Sequence, residues 1–189
     1  EVEGPVLHDE PNGATAKPFI THHNALDMDL HLRIALELHL KRLVVGGMER
    51  VFEIGRIFRN EGISTRHNPE FTMMECYEAF GDYNTMMELT EAIVSNAARD
   101  AIGRSTVQFG DHEISLAAPF ARVPMIELVK NAIGEDMHPS MDLDKAIKIA
   151  KENGLEDIKE HWGVGKIIGE LYELHCEKDL IQPTFVIDY

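Results

Sequence analysis

Hydrophobic and polar positions alternate most clearly between Arg50 and Tyr83, in the run RVFEIGRIFRNEGISTRHNPEFTMMECYEAFGDY. Residues 51–58 and 71–80 read as two strands. Between them lies a polar connection whose Asn60, Gly62, Asn68 and Pro69 are turn formers, so the pattern predicts a hairpin with a long charged loop. Strand alternation puts Phe71, Met73, Glu75 and Tyr77 on one face, and Thr72, Met74, Cys76 and Glu78 on the other. Upstream, residues 1–7 alternate weakly and predict a short strand, 8–17 a loop and 28–32 a strand. Leu36, Leu40, Leu43 and Val44 have the spacing of one helical face, which predicts a helix over 36–45 stopped by Gly46 and Gly47.

Downstream, Thr85 and Glu88 are spaced as a capping box, predicting a helix to Ile102 closed by Gly103. Its methionines, Met86 and Met87, read as core filling. Residues 105–109 and 112–116, split by Gly110 and Asp111, predict a second hairpin. Three helices are expected over 123–133, 142–153 and 165–175, with Pro124 in the first turn of its helix. A last strand is expected at 184–187. Gly163, Gly165 and Gly169 fit neither of the common phosphate-loop patterns and follow no clear strand.

Composition bounds what these elements can be. At 189 residues and 44% hydrophobic, the chain suits a globular protein of one large or two small domains. It lacks both the apolar run of about 20 residues that spans a bilayer and a signal-peptide pattern, so no membrane role and a cytoplasmic location are expected. Cys76 and Cys176 are far apart and outside CxxC spacing, which favours reduced thiols over a disulfide framework or a cysteine zinc site. The formal charge of −15 opposes nonspecific polyanion binding, so any nucleic-acid contact must be local. The 10 histidines are scattered, and no metal ligands are assigned. With Glu1 in place of an initiator methionine and a strand-like run just before Tyr189, the sequence is expected to be part of something longer.

The charged loop is where chemistry concentrates. Arg59 and Arg66 offer planar forks suited to phosphate, His67 can reach a terminal phosphate, and Phe71 can stack on a purine. A competing reading puts Phe71 in the core and pairs the arginines with Glu61 and Glu70; the residues alone leave both open. Glu75 shares a face with Phe71 and Tyr77, and a carboxylate there is costly to bury without a cation or donors. A ligand ammonium meets that need, with Glu37 as a second carboxylate. Glu37 is also four residues before Lys41, the spacing of an ordinary surface ion pair. Gly13 reads either as a turn residue or as a point of close approach to a ligand. No nucleophile and base are brought together by the local sequence, whereas direct attack of a substrate carboxylate on a phosphate needs only positioning and charge stabilisation.

The run FRNEGISTRHNPEFTMMECY closely resembles motif 2 of class II aminoacyl-tRNA synthetases, in the form found in bacterial-type lysyl-tRNA synthetases. The stretch PNGATAKPFITHHNALDMDLHLRIALELHLKRLVVGGMERVFEIGRIFRNEG resembles the preceding part of the same catalytic domain, and LIQPTFVIDY the strand after its helical insertion. The resemblance is strongest over residues 18–83 and weakest over 105–160.

It implies an α+β fold, an antiparallel sheet flanked by helices, as an incomplete class II catalytic core. Residues 1–104 would form the motif 2 core, 105–180 a hairpin and helical insertion, and 181–189 a return strand. The implied reaction joins lysine and ATP to lysyl-adenylate and then moves the lysyl group to tRNA(Lys), with Mg2+ accompanying ATP and a homodimer as the full-length state. By position Arg59 would be catalytic, holding the α-phosphate and the lysine carboxylate. Glu61, Arg66, His67 and Phe71 would bind ATP. Gly13, Glu37, Glu75 and Tyr77 would bind lysine.

Asn12 stands where a glycine often precedes Gly13, and Gly4 where a threonine is common. A complete motif 1, motif 3 and the anticodon-binding domain are not found within residues 1–189. Other readings stay open at this point: a catalytically inert truncated fragment or an interaction piece, and a related class II ATP-dependent amino-acid ligase.

Overall fold

Burial alternates along residues 50–58, with Val51, Glu53 and Ile57 inward and their neighbours outward, as a strand covered on one face requires. The computed structural model describes residues 1–189 and divides into two compact units, Glu1–Gly81 and Asp82–Tyr189.

The first unit contains β1 (Leu7–His8), β2 (Ile20–His23), β3 (Met28–Leu32), helix α1 (Glu37–Val45), β4 (Arg50–Phe58) and β5 (Glu70–Glu78). The antiparallel order β1-β3-β2 makes one sheet, and β4 pairs with β5 from Arg50↔Glu78 to Phe58↔Glu70. Leu40 of α1 meets Leu36, Val51 and Ile57 in a core that Phe71, Met73 and Tyr77 extend. Full burial of side chains such as Leu40 and Ile57 contributes about 1.5–3 kcal/mol each.

Between β3 and α1, Arg33, Ile34, Ala35 and Leu36 form no regular element yet are all at most 4% exposed. Buried backbone must find partners. Here the Arg33 N–H donates to the Val6 carbonyl (2.9 Å), and the Arg33 carbonyl accepts from the Phe58 N–H (3.0 Å). The Arg33 side chain is equally engaged. Its guanidinium donates to Glu53 Oε1 (2.5 Å) and to the carbonyls of Arg56 (2.9 Å) and Gly4 (3.3 Å), while Glu53 Oε2 accepts from the Gly4 N–H (3.0 Å). A Cβ on residue 4 would lie 2.9 Å from that carboxylate oxygen, so glycine fits the close approach where threonine would not without rearrangement.

The expected strand over residues 1–7 is a correction: only Leu7–His8 pairs, because Gly4 is drawn to Glu53 and Pro5 has no N–H to give a ladder. β2 was not anticipated.

The second unit contains α2 (Tyr83–Ile102), β6 (Thr106–Phe109), β7 (His112–Ser115), β8 (Ala121–Pro124), α3 (Met125–Ile133), α4 (Leu143–Glu152), α5 (Val164–His175) and β9 (Thr184–Ile187). The cap of α2 is Asp82 rather than Thr85. Its carboxylate accepts from the Thr85 N–H (3.0 Å), which holds the Asp82 carboxyl below its ordinary range. Gly103 closes the helix at φ 68°, as expected of a left-handed cap. Val123 and Pro124, expected in a helix, instead end β8, and α3 begins one residue later. β8 pairs in parallel with β9, and such a pair gives no local signal of partnership.

Val129, Ala146, Ala150, Ile167 and Leu171 form the centre of this unit's core. The fold is thus α+β, as expected. The sheet is not single, however: three small antiparallel sheets and one parallel pair are present. No helix is long and apolar enough to cross a membrane.

Candidate active site

At the loop end of the β4–β5 hairpin, Arg59, Glu61, Gly62, Arg66, His67, Asn68 and Phe71 line a cavity of about 350 Å³. All five residues proposed for ATP therefore line the same cavity. Arg59 is held from behind: its Nε and Nη2 both donate to the Ile34 carbonyl at 3.3 Å, and its guanidinium lies 5.4 Å from the Phe71 ring centre. Neither Arg59 nor Arg66 forms an ion pair. Glu70 is taken by Arg56 at 3.4 Å, and Glu61 accepts from the Lys17 N–H at 3.4 Å. Phe71 both packs on the core and lines the cavity, so the two readings of that residue are not exclusive. Two unpaired guanidinium groups beside an aromatic ring form a site suited to a phosphorylated, stacking ligand.

The inward face of the hairpin continues from Phe71 through Met73 to Glu75 and Tyr77. At about 3.4 Å per residue, Glu75 stands about 14 Å along the strand from Phe71. Glu53 is its cross-strand partner. Two carboxylates directly opposite repel, so each needs its own donors. Glu53 has Arg33 and Gly4; Glu75 accepts from the Leu36 N–H (3.1 Å) and from the Tyr77 hydroxyl (2.8 Å).

Gly13 adopts φ +78° and sits where a Cβ would come within 2.9 Å of Ala35 Cβ and 3.0 Å of Glu37 Cβ. The positive φ bears out the turn reading, and the turn places the Gly13 backbone close to Glu37. Beside it, Asn12 Nδ2 donates to the Glu10 carbonyl (3.0 Å), while Asn12 Oδ1 is buried without a partner. Glu37 pairs with Lys41, and the Lys41 ammonium lies 5.9 Å from the Tyr77 ring centre. Gly13, Glu37, Glu75 and Tyr77 are thus brought together, with Lys41 among them.

Arg33 to Leu36 escaped the sequence reading of the site. This strip supplies the carbonyl that orients Arg59, the N–H that orients Glu75 and the methyl that abuts Gly13. Its sequence signal is slight: Leu36 opens a helical spacing, and Ile34 and Ala35 before it fit no period.

Burial, followed by the hydrogen bond to Glu75 and the charges of Glu75 and Glu37, pushes the Tyr77 phenol above its ordinary value. The folded chain then keeps a proton that the unfolded chain releases. The stabilisation is complete below about pH 10 and is lost as pH rises through the elevated value. An ultraviolet difference titration of the wild type against Tyr77→Phe is expected to show no phenolate at about pH 10, where an ordinary tyrosine is half ionised. A half-developed signal at that pH would contradict the assignment.

No three histidines, cysteines or carboxylates cluster as a metal site.

The family model described as tRNA synthetases class II (D, K and N) matches residues 1–189. Among similar proteins are the lysine–tRNA ligases of Lysinibacillus sphaericus (56% identical), Halalkalibacterium halodurans (54%) and Shouchella clausii (53%). Each match runs over 186 residues, which is 98% of this chain and 37% of the relative. The chain therefore spans little more than a third of the length of the curated relatives it matches. With the family match covering every residue, the motif 2 hairpin included, the chain belongs to the class II tRNA synthetases.

Proposed function

We propose that this chain carries the ATP and lysine sites of a lysine–tRNA ligase, which activates lysine as lysyl-adenylate and transfers it to tRNA(Lys). The observation that carries the choice of amino acid is the pair of carboxylates at the Tyr77 phenol: Glu75 accepts from its hydroxyl at 2.8 Å and the charge of Glu37 acts on the same group, so the surroundings suit the ammonium groups of a lysine substrate and repel the acidic side chain of aspartate. The identity of more than 50% to three lysine–tRNA ligases supports the same reading.

In this reading adenine stacks on Phe71, while Glu61 and His67 contact ATP and Arg66 lies by its outer phosphates. Arg59 bridges the α-phosphate and the lysine carboxylate. A carboxylate oxygen attacks the α-phosphorus, the bond to the β-phosphate oxygen breaks, and pyrophosphate leaves. Arg59 stabilises the charge that builds on the phosphoryl oxygens and needs no covalent intermediate to do so. Glu75 and the Gly13 backbone hold the α-ammonium, and Glu37 and Tyr77 the ε-ammonium. Mg2+ would screen the triphosphate; none of the steps given to these residues passes through it. A cytoplasmic homodimer is part of the proposal.

The test is amino-acid-dependent exchange of pyrophosphate into ATP, by a protein of the relatives' length that carries these residues. Lysine is expected to drive exchange at least a hundredfold better than aspartate or asparagine, the discrimination available when a buried charge is left unpaired by the wrong substrate, which is about 3 kcal/mol. Exchange driven by aspartate or asparagine would overturn the proposal.

A further inference from the structure

The loop that carries Arg66 and His67 is folded around one hydroxyl. Ser64 and His67 exchange backbone hydrogen bonds, N–H of Ser64 to the His67 carbonyl at 3.1 Å and N–H of His67 to the Ser64 carbonyl at 3.3 Å, so Thr65 and Arg66 form a tight two-residue turn. Within that turn Ser64 Oγ accepts from the Arg66 N–H (3.2 Å) and lies 2.8 Å from His67 Nδ1. A serine hydroxyl has one proton and two lone pairs. One lone pair is engaged by Arg66, and the proton is free to be donated to Nδ1. A neutral ring that accepts at Nδ1 carries its proton at Nε2. When the ring is protonated, the second lone pair of Oγ accepts from Nδ1–H instead. In both of these states Nε2 bears a hydrogen, which is what a nitrogen facing a phosphate needs; the other neutral tautomer, with Nδ1–H donating to Oγ, leaves Nε2 bare and is disfavoured beside phosphate oxygens, which only accept.

We infer that Ser64 is a positioning residue for ATP binding: by occupying His67 Nδ1 and anchoring the Arg66 turn, it presents His67 to the phosphates as an Nε2–H donor. This rests on the ATP reading of the cavity that Arg66 and His67 line. Ser64 itself does not line that cavity, so its effect must pass through its neighbours. The loop is exposed and outside both hydrophobic cores, so removing the hydroxyl leaves the fold in place.

The experiment measures ATP and AMP dissociation constants by calorimetry on the full chain and its Ser64→Ala, Ser64→Thr, His67→Ala and Ser64→Ala/His67→Ala variants. Ser64→Ala is expected to weaken ATP about threefold to tenfold, the loss of one modest hydrogen bond, and to leave AMP unchanged. Ser64→Thr, which keeps the hydroxyl, is expected to bind ATP as the wild type does. The double variant is expected to lose less than the sum of the two single losses, because the part of the Ser64 effect that passes through His67 is gone once the ring is removed. Equal loss for AMP and ATP, or additive effects in the double variant, overturns the role of Ser64 while the ATP site stands. Failure of the wild type to bind ATP overturns both.

Discussion

Arg59→Ala is expected to lower lysine-dependent pyrophosphate exchange by at least a thousandfold while leaving the melting temperature within a few degrees of the wild type. The size follows from where the charge sits. Removing one preorganised donor to developing charge costs about a hundredfold to a thousandfold in turnover, and Arg59 would lose both a donor fork and a full positive charge. The small effect on stability follows from what holds the side chain. Its protein partners are one carbonyl, that of Ile34, through two contacts of 3.3 Å, and the face of Phe71. No carboxylate would be left unpaired, so none of the large penalties for a stranded buried charge applies. Arg59→Lys sharpens the test. A lysine keeps the charge but cannot grip the Ile34 carbonyl and a phosphate with one planar group, so exchange is expected to stay at least a hundredfold down. Normal exchange in either variant would remove Arg59 from the reaction.

The motif 2 hairpin was legible because both of its signals are local. Period-two alternation set the face shared by Phe71, Glu75 and Tyr77, and Asn, Gly and Pro marked the loop; the pairing from Arg50 to Glu78 follows that pattern. The helix from residue 37 and the cap at Gly103 were legible for the same reason. What local pattern did not reveal is how the site is held. Glu53 alternates inward just as Val51 and Ile57 do, but its partner Arg33 lies twenty residues earlier and nothing in the intervening sequence links the two. The Lys41 ammonium read correctly as the partner of Glu37; that it also lies over Tyr77 depends on how α1 packs against β5, which spacing alone does not encode. In the second unit the parallel pairing of β8 with β9 spans some sixty residues, and Pro124, a good first residue for a helix, fits the end of a strand equally well.

Glu53→Gln is expected to be the most destabilising conservative change in the first unit, at about 3–5 kcal/mol, because it leaves the Arg33 guanidinium buried without a counter-charge. Both side chains are at most 5% exposed, and the pair is tied to Gly4 and Arg56 by further hydrogen bonds. Glu70→Gln removes the partner of Arg56, but both of those side chains are more than half exposed, so the expected cost is under about 1 kcal/mol. Gly55→Ala tests the same pair from the other side. A Cβ at residue 55 would lie 2.1 Å from Arg33 Nη2, and a guanidinium fixed by three acceptors cannot yield cheaply. The only tryptophan, Trp162, belongs to the second unit, so the measurement is amide hydrogen exchange along β4 and β5. Exchange in these strands is expected to speed up by two or more orders of magnitude in Glu53→Gln and Gly55→Ala, and to change little in Glu70→Gln. Comparable protection in all three would show that the buried pair does not anchor the hairpin. The consequence reaches the chemistry, since Arg33 is joined directly to Ile34, whose carbonyl aims Arg59, and two residues further on the Leu36 N–H fixes Glu75. Under conditions where the hairpin is still folded, Glu53→Gln should therefore lower the exchange rate with lysine as well. A mutation that touches neither ATP nor lysine would then act through the strip of chain on which both sites depend.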